Sequence, residues 1–170
     1  MKVLETARLD LRWLTADDAP FMLGLLNEPS FIENIGDRGV RTTDAAREYI
    51  EKGAAASYRE HGYGLYLVER RSDGTPVGIC GLIKRPFLAD ADVGFAFLPA
   101  YWSQGYAIEA AQAVMGHARN TLGLERVIAI VSPGNAPSVR LLRKLGLEFE
   151  RMMEMPTPGD TVAVYVPGHS

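Results

Sequence analysis

The residues best placed to do chemistry lie in the run Trp102-Ser-Gln-Gly-Tyr-Ala107. Gly105 and Ala107 leave the backbone uncovered just where a helical period begins, with Ile108, Ala111, Met115, Ala118 and Leu122 recurring at three- and four-residue steps. A helix start presents unpaired N–H groups and about half a positive charge, so an anion can dock there. The chemistry expected of this run is the cradling of a phosphate. Other reactive residue types offer less. The single cysteine, Cys80, sits in the apolar run Val77–Ile83 and reads as a buried small hydrophobe. It has no histidine near it in sequence to activate it, and one cysteine excludes both an intrachain disulfide framework and a Cys-based zinc site. His61, His117 and His169 are not spaced as metal ligands, and no metal is expected. His117 reads as a helix-surface residue, and His169 as part of a loose end.

The cradle needs a strand before it and a helix after it. Asp92 to Leu98 has strand-like spacing and is broken by Pro99, and the helix runs on to about Asn120. Before them, Arg8 to Leu14 alternates apolar and polar and predicts a strand with one buried face. Thr15-Ala-Asp-Asp18 starts a helix carrying Phe21, Met22, Leu25 and Leu26, which stops before Pro29. Phe31 to Thr42 reads as a long loop, and a second helix runs from Thr43 or Asp44 to about Glu60. Leu65–Arg70 and Val77–Lys84 are strands flanking the turn Ser72–Pro76. After the cradle helix come the strand Arg126–Val131, the turn Ser132–Gly134, and a short helix Val139–Leu145 led in by Asn135–Ser138 and closed by Gly146. Phe149–Met155 and Thr161–Val166 form a final hairpin. The order β-α-α-β-β-β-α-β-α-β-β predicts an α+β fold, a central twisted mixed sheet of about seven strands with about four helices on its two faces. It is not the alternation of a dinucleotide-binding fold, and no Gly-x-Gly-x-x-Gly or Walker loop is present.

The 170 residues fit a single domain spanning 1–170. A hydrophobic fraction of 47% and a charged fraction of 23% are those of an ordinary soluble protein. A net charge of −3 argues against a bulk nucleic-acid binder. No apolar stretch approaches the ~20 residues of a membrane span, and the start lacks a signal-peptide core, so a cytoplasmic protein with no membrane partner is expected.

Three segments in order resemble the GNAT superfamily of acetyl-CoA-dependent N-acetyltransferases, and the likeness covers nearly the whole chain. Glu5-Thr-Ala-Arg-Leu-Asp-Leu-Arg12 resembles the opening strand of its ribosomal-protein N-acetyltransferase, or Rim-type, branch. Tyr101-Trp-Ser-Gln-Gly-Tyr-Ala-Ile-Glu-Ala110 resembles the acetyl-CoA loop of that branch. Asn135-Ala-Pro-Ser138, with Leu142, Leu145 and Gly146, is similar to its second cofactor segment. The broader superfamily has Gln or Arg where this chain has Trp102; the Rim-type branch commonly carries Trp. The resemblance implies acetyl-CoA as cosubstrate, with the N–H groups of Gln104, Gly105, Tyr106 and Ala107 on its pyrophosphate and the Tyr106 side chain turned away. It implies that the strand ending at Phe97-Leu98, with a bulge near Leu98, splays from Val127–Val131. The pantetheine arm then pairs with strand backbone in the gap, and Asn135 bonds it from the other side. Arg140, Arg143 and Lys144 are candidates for the nucleotide phosphates, against a plain solvated helix face.

In this family an amine attacks the thioester directly, which requires a neutral amine and a proton for the departing thiolate. At pH 7 a lysine amine is neutral about one time in 2,000, an α-amine about one in ten. By resemblance, Ser138 is the candidate acid near the thiol; otherwise its hydroxyl caps a backbone N–H. Asp92 takes the place where relatives often carry Glu and is the candidate base or amine anchor; otherwise it is an exposed carboxylate at a strand start. Glu109 is expected to stabilise the helix start. Glu33 and Asp37 either meet a cationic acceptor or are solvated loop charge. Phe87, Tyr63 and Tyr66 either line an acceptor pocket or pack in the core. The expected activity is acetyl transfer to a primary amine, a protein N-terminus or a small molecule, by a monomer or homodimer. The alternative is a non-catalytic acetyl-CoA-binding sensor or interaction module.

Overall fold

The computed structural model describes residues 1–168; His169 lies outside the described residues. The alternating run after Arg8 forms β2 (Leu9–Trp13), and a strand that the sequence did not separate from it, β1 (Lys2–Glu5), pairs with it antiparallel. The hairpin escaped because its turn, Thr6-Ala-Arg8, carries none of the Gly, Pro, Asn or Asp that mark turns. Thr15 starts the first helix as expected. A 3-10 turn, Ala16–Asp18, leads into α1 (Ala19–Leu26), and the Asp18 carboxylate accepts the Thr15 N–H at 2.9 Å. Arg12 reaches from β2 to the same carboxylate with two hydrogen bonds of 2.8 and 2.9 Å.

Pro29 ends one helix and starts another. It stands at the first turn of α2 (Pro29–Asn34), where its missing N–H costs nothing. The expected loop from Phe31 is therefore helical up to Asn34. Next, α3 (Thr43–Ile50), capped by the Thr42 hydroxyl on the Ala45 N–H at 3.0 Å, continues through a π-helical stretch, Glu51–Ala55, into α4 (Ala56–His61). The remaining elements are β3 (Leu65–Arg70), β4 (Pro76–Ile83), β5 (Ala91–Phe97), α5 (Tyr106–Asn120), β6 (Val127–Val131), α6 (Ala136–Lys144), β7 (Leu147–Glu154) and β8 (Thr161–Pro167).

The eight strands lie in the order β1-β2-β3-β4-β5-β6-β8-β7, and every neighbouring pair but β5–β6 is antiparallel. Strand alternation divides the core between the two faces. Tyr66, Val68, Cys80 and Leu82 pack against α5, while Leu67 and Ile79 pack against Met22, Leu25, Ala46 and Ile50 of α1 and α3. The buried stripe of α5 runs through Tyr106, Ala110, Ala111, Val114 and Ala118; Ile108, Met115 and Leu122 of the expected stripe are only half-buried. Two adjacent alanines let the helix sit close on the sheet, so small residues rather than the bulky ones define its inner face.

The join between β5 and β6 is short. Only Ala91↔Val127 and Asp92↔Ile128 pair there. From Ala129 onward β6 pairs with β8, while β5 stays with β4. The two halves of the sheet therefore part, as the family resemblance implies. The β4–β5 register runs unbroken from Asp92 to Phe97, so the bulge expected near Leu98 is not found. Pairing ends instead because Leu98 makes the last bond, to the Val77 carbonyl at 3.0 Å, and Pro99 has no N–H to offer.

Candidate active site

A cavity of about 660 Å³ opens where β5 and β6 part. One wall is Asp92 to Ala96 of β5, and the other is Ile130 to Ser132, Asn135 and Ser138. The Leu98 N–H points to β4, so the alternation of an antiparallel ladder turns the N–H and C=O of Phe95 and Phe97 the other way, into the gap. The Phe97 carbonyl accepts the Trp102 indole N–H at 2.8 Å, which fixes the exit of the strand. Leu98, expected beside Phe97 at the cofactor, has both backbone groups engaged: its N–H with Val77 and its C=O with the Tyr101 N–H at 2.9 Å.

Beyond the end of β5 lies the Ser103–Ala107 loop, outside the cavity wall. Ser103 (φ +62°) and Gly105 (φ +81°) both take the left-handed conformation, and successive amides in such a turn point to one side. Among the described residues, no N–H from Ser103 to Ile108 has a hydrogen-bond partner; the first bonded one is Glu109, to the Gly105 carbonyl at 3.1 Å. Ser103, Gln104 and Gly105 are exposed, whereas Tyr106 is buried, its ring under the Arg8 guanidinium at 4.5 Å. The tyrosine turns away from the cradle as expected. A row of free amides followed by a strand edge without a neighbour fits a pyrophosphate that carries an extended, amide-containing arm.

Asp92 sits at the point where the strands part. It is 1% exposed, so it is a buried carboxylate and not an exposed one at a strand start. Arg85 Nε donates to its Oδ1 at 3.0 Å. Burial pushes its carboxyl above the ordinary value, and the Arg85 charge opposes that only in part. Ser138 lies across the cavity in the first turn of α6. The capping there is done by Asn135, whose Oδ1 accepts the Ser138 N–H at 3.4 Å, so Ser138 Oγ is not the cap and has no partner among the described residues. The Asn135 carboxamide N–H₂ likewise has no partner among the described residues, and Asn135 lines the cavity.

Other candidates lie elsewhere. Asp37 is tied to Arg41 at 2.6 Å, Glu33 is exposed, and neither lines the cavity. Tyr63 and Tyr66 are core residues, and Phe87 is outside the cavity wall. Cys80 is fully buried, and burial lifts its thiol to about 12, away from the thiolate form. His117 packs edge-on against Tyr66, and burial lowers its pKa. Arg140, Arg143 and Lys144 are exposed on α6. Sequence reasoning missed Arg85, Tyr49, the π-helical stretch at Lys52–Ala54 and the hairpin residues Met155 and Thr157, all of which line the cavity. Only the π stretch had a signal, Gly53 within a helical pattern.

The chain matches the family described as the Acetyltransferase (GNAT) domain over residues 8–148. It is 30% identical to the uncharacterized N-acetyltransferase YoaA of Bacillus subtilis (strain 168) over 168 residues, 94% of this chain and 93% of that protein. Its fold is similar to that of an acetyltransferase from Agrobacterium tumefaciens str. C58, with a TM-score of 0.82 at 23% identity over 99% of this chain and 95% of that one. It is also similar to RimL, a ribosomal L7/L12 alpha-N-protein acetyltransferase solved with coenzyme A, with a TM-score of 0.83 at 18% identity over 98% and 97%. The family match spans both the loop of free amides and the parted strands, so the chain belongs to the GNAT acetyltransferase family and is an acetyl-CoA-dependent N-acetyltransferase.

Proposed function

We propose that this enzyme acetylates a primary amine by direct attack with both substrates bound, and that its first candidate acceptor is a protein N-terminus, with a small-molecule amine second. The observation that carries this reading is the placement of Asp92 and Ser138 on opposite walls of one cavity, Asp92 from β5 and Ser138 from α6. Acetyl-CoA brings the acyl group as a thioester, whose C–S bond breaks as the C–N bond forms. The amides of Ser103 to Ala107 bind its pyrophosphate. Phe95, Phe97 and Asn135 bind its arm. Asp92 takes the proton that the amine loses, while Ser138 Oγ–H gives its proton to the departing sulfur and regains one from solvent.

The acceptor follows from charge. A polyamine or aminoglycoside calls for an excess of carboxylates, but Asp92, Glu60 and Asp160 share the cavity lining with Arg38, Lys52, Lys84 and Arg85, and Asp92 is paired with Arg85. A singly charged α-amine suits that lining better, and RimL, whose fold is shared, acts by its name on an α-amine. The resemblance of Glu5–Arg12 and Tyr101–Ala110 to the Rim-type branch supports the same choice. The test is thiol release from acetyl-CoA against a panel of N-terminal peptides, polyamines, amino acids and aminoglycosides. Turnover with peptides bearing free α-amines is expected. Turnover confined to polyamines would overturn the acceptor assignment, and no thiol release with any amine would favour the non-catalytic alternative.

A further inference from the structure

We propose that Arg8 is the positioning residue of the pyrophosphate loop, held for that task by Thr6 and Glu109. The inference rests on reading Ser103–Ala107 as that loop. Glu109 stands one turn inside α5, and its carboxylate is used up by the β1–β2 turn. Its Oε2 accepts the Thr6 hydroxyl at 2.5 Å and the Arg8 N–H at 3.0 Å, and its Oε1 accepts Arg8 Nε at 2.7 Å. Burial pushes the Glu109 carboxyl up, but these three donors outweigh it and hold the group below its ordinary value.

With backbone and Nε both fixed, the guanidinium has one orientation. Nη1 donates to the Gln104 carbonyl at 2.9 Å. The planar face lies 4.5 Å from the Tyr106 ring centroid. Nη2 lies 3.2 Å from where a Cβ on Gly105 would stand and has no acceptor among the described residues. One side chain therefore bonds Gln104, stacks on Tyr106 and stands over the open face of Gly105 between them. The loop needs an external hold, because Ser103 keeps a positive φ that a residue with a side chain disfavours. Tying back the Gln104 carbonyl keeps an acceptor out of the row of amides, where it would repel a phosphate. The free Nη2 adds a fixed positive charge beside the helix start. The Glu5–Arg12 and Gln104–Glu109 segments, about a hundred residues apart and read separately in the sequence, are thus two halves of one device.

The test compares CoA, by calorimetry, with pantetheine, which lacks the pyrophosphate, by NMR titration. Arg8→Ala should raise the Kd of CoA about tenfold or more, and leave that of pantetheine within about twofold. Arg8→Lys keeps the charge but cannot span Glu109 and the Gln104 carbonyl, and it should not restore CoA affinity. Glu109→Ala should weaken CoA as Arg8→Ala does, and the double variant should be no worse than either. Glu109→Gln carries the same comparison should Arg8→Ala fail to fold. CoA binding within twofold of wild type in Arg8→Ala, parallel loss of both ligands, or full rescue by lysine would each overturn the proposal. A wild-type protein that binds no CoA would overturn the cofactor-loop reading beneath it.

Discussion

Asp92 and Arg85 form a pair whose two charges work against the setting in different measure. Burial alone favours the neutral acid, and Arg85 at 3.0 Å draws the carboxyl back toward ionisation. A base must be ionised to accept a proton, so activity should fall as pH drops through a value above the ordinary carboxylate range. Removing Arg85 removes the influence that lowers this pKa. Arg85→Ala should therefore move the acidic limb of the kcat/KM profile to higher pH, and Asp92→Asn should abolish that limb while cutting turnover about 10²-fold. Identical limbs in wild type and Arg85→Ala would show that Asp92 is not the group titrating. Ser138 answers to a different measurement. Its hydroxyl is released from capping by Asn135 and has no partner among the described residues, and Ser138 lines the cavity. Ser138→Ala should lower kcat about 10²-fold with the KM for acetyl-CoA nearly unchanged, since the bond it makes to sulfur strengthens only as the C–S bond breaks. An unaltered kcat in that variant would remove Ser138 from the chemistry.

At the scale of elements, the loop before α5 depends on a backbone shape more than on any side chain. Gly105 caps the helix at φ +81°, and a Cβ there would stand 3.2 Å from Arg8 Nη2. Gly105→Glu adds strain, bulk and a negative charge at the anion's place, so CoA binding measured by calorimetry should be lost while circular dichroism shows a folded domain. Unchanged affinity would sink the cradle. This loop was legible in the sequence because its signal is local: a Gly and small residues at a change of period. The helix after it, the three-strand meander and the final hairpin were legible for the same reason. What was missed was missed for physical causes. Pro29 serves a helix start as readily as a stop, so α2 hid in an expected loop. The β1–β2 turn has no turn residue to announce it. Arg85 gained its meaning only when the connection from β4 to β5 folded back and brought it to Asp92, seven residues on, and Arg8 only when the β1–β2 turn came to lie beside α5. Neither a turn-borne ion pair nor a partner about a hundred residues away leaves a periodic trace in a sequence.

The whole molecule is a sheet in two halves, closed at one end and open at the other. Val127, Ala129 and Leu142 share one apolar core with α5 and the first five strands. Two residue pairs are the strand ladder between the halves, and across the gap Ser132 Oγ donates to the Asn34 carbonyl at 2.8 Å, linking the end of α2 to the end of β6. A ligand lying in the gap touches both halves and is lost when they separate. At a hundred times its Kd such a ligand adds about 2.7 kcal/mol to stability, which for a chain of this size raises Tm by roughly 5–10 °C. Hydrogen exchange locates the effect more sharply than melting does. The amides of Phe95 and Phe97 are turned into the gap, whereas the Leu98 amide is already bonded to Val77. Adding CoA should slow exchange at Phe95 and Phe97, read residue by residue by NMR, because a pantetheine arm would take the place of the missing strand. Leu98 should exchange slowly with and without CoA, and serves as the internal reference. If Phe95, Phe97 and Leu98 slow together, CoA is tightening the domain as a whole and the arm does not pair with β5. If Phe95 and Phe97 exchange at the same rate with and without CoA, the cofactor does not lie between the parted strands.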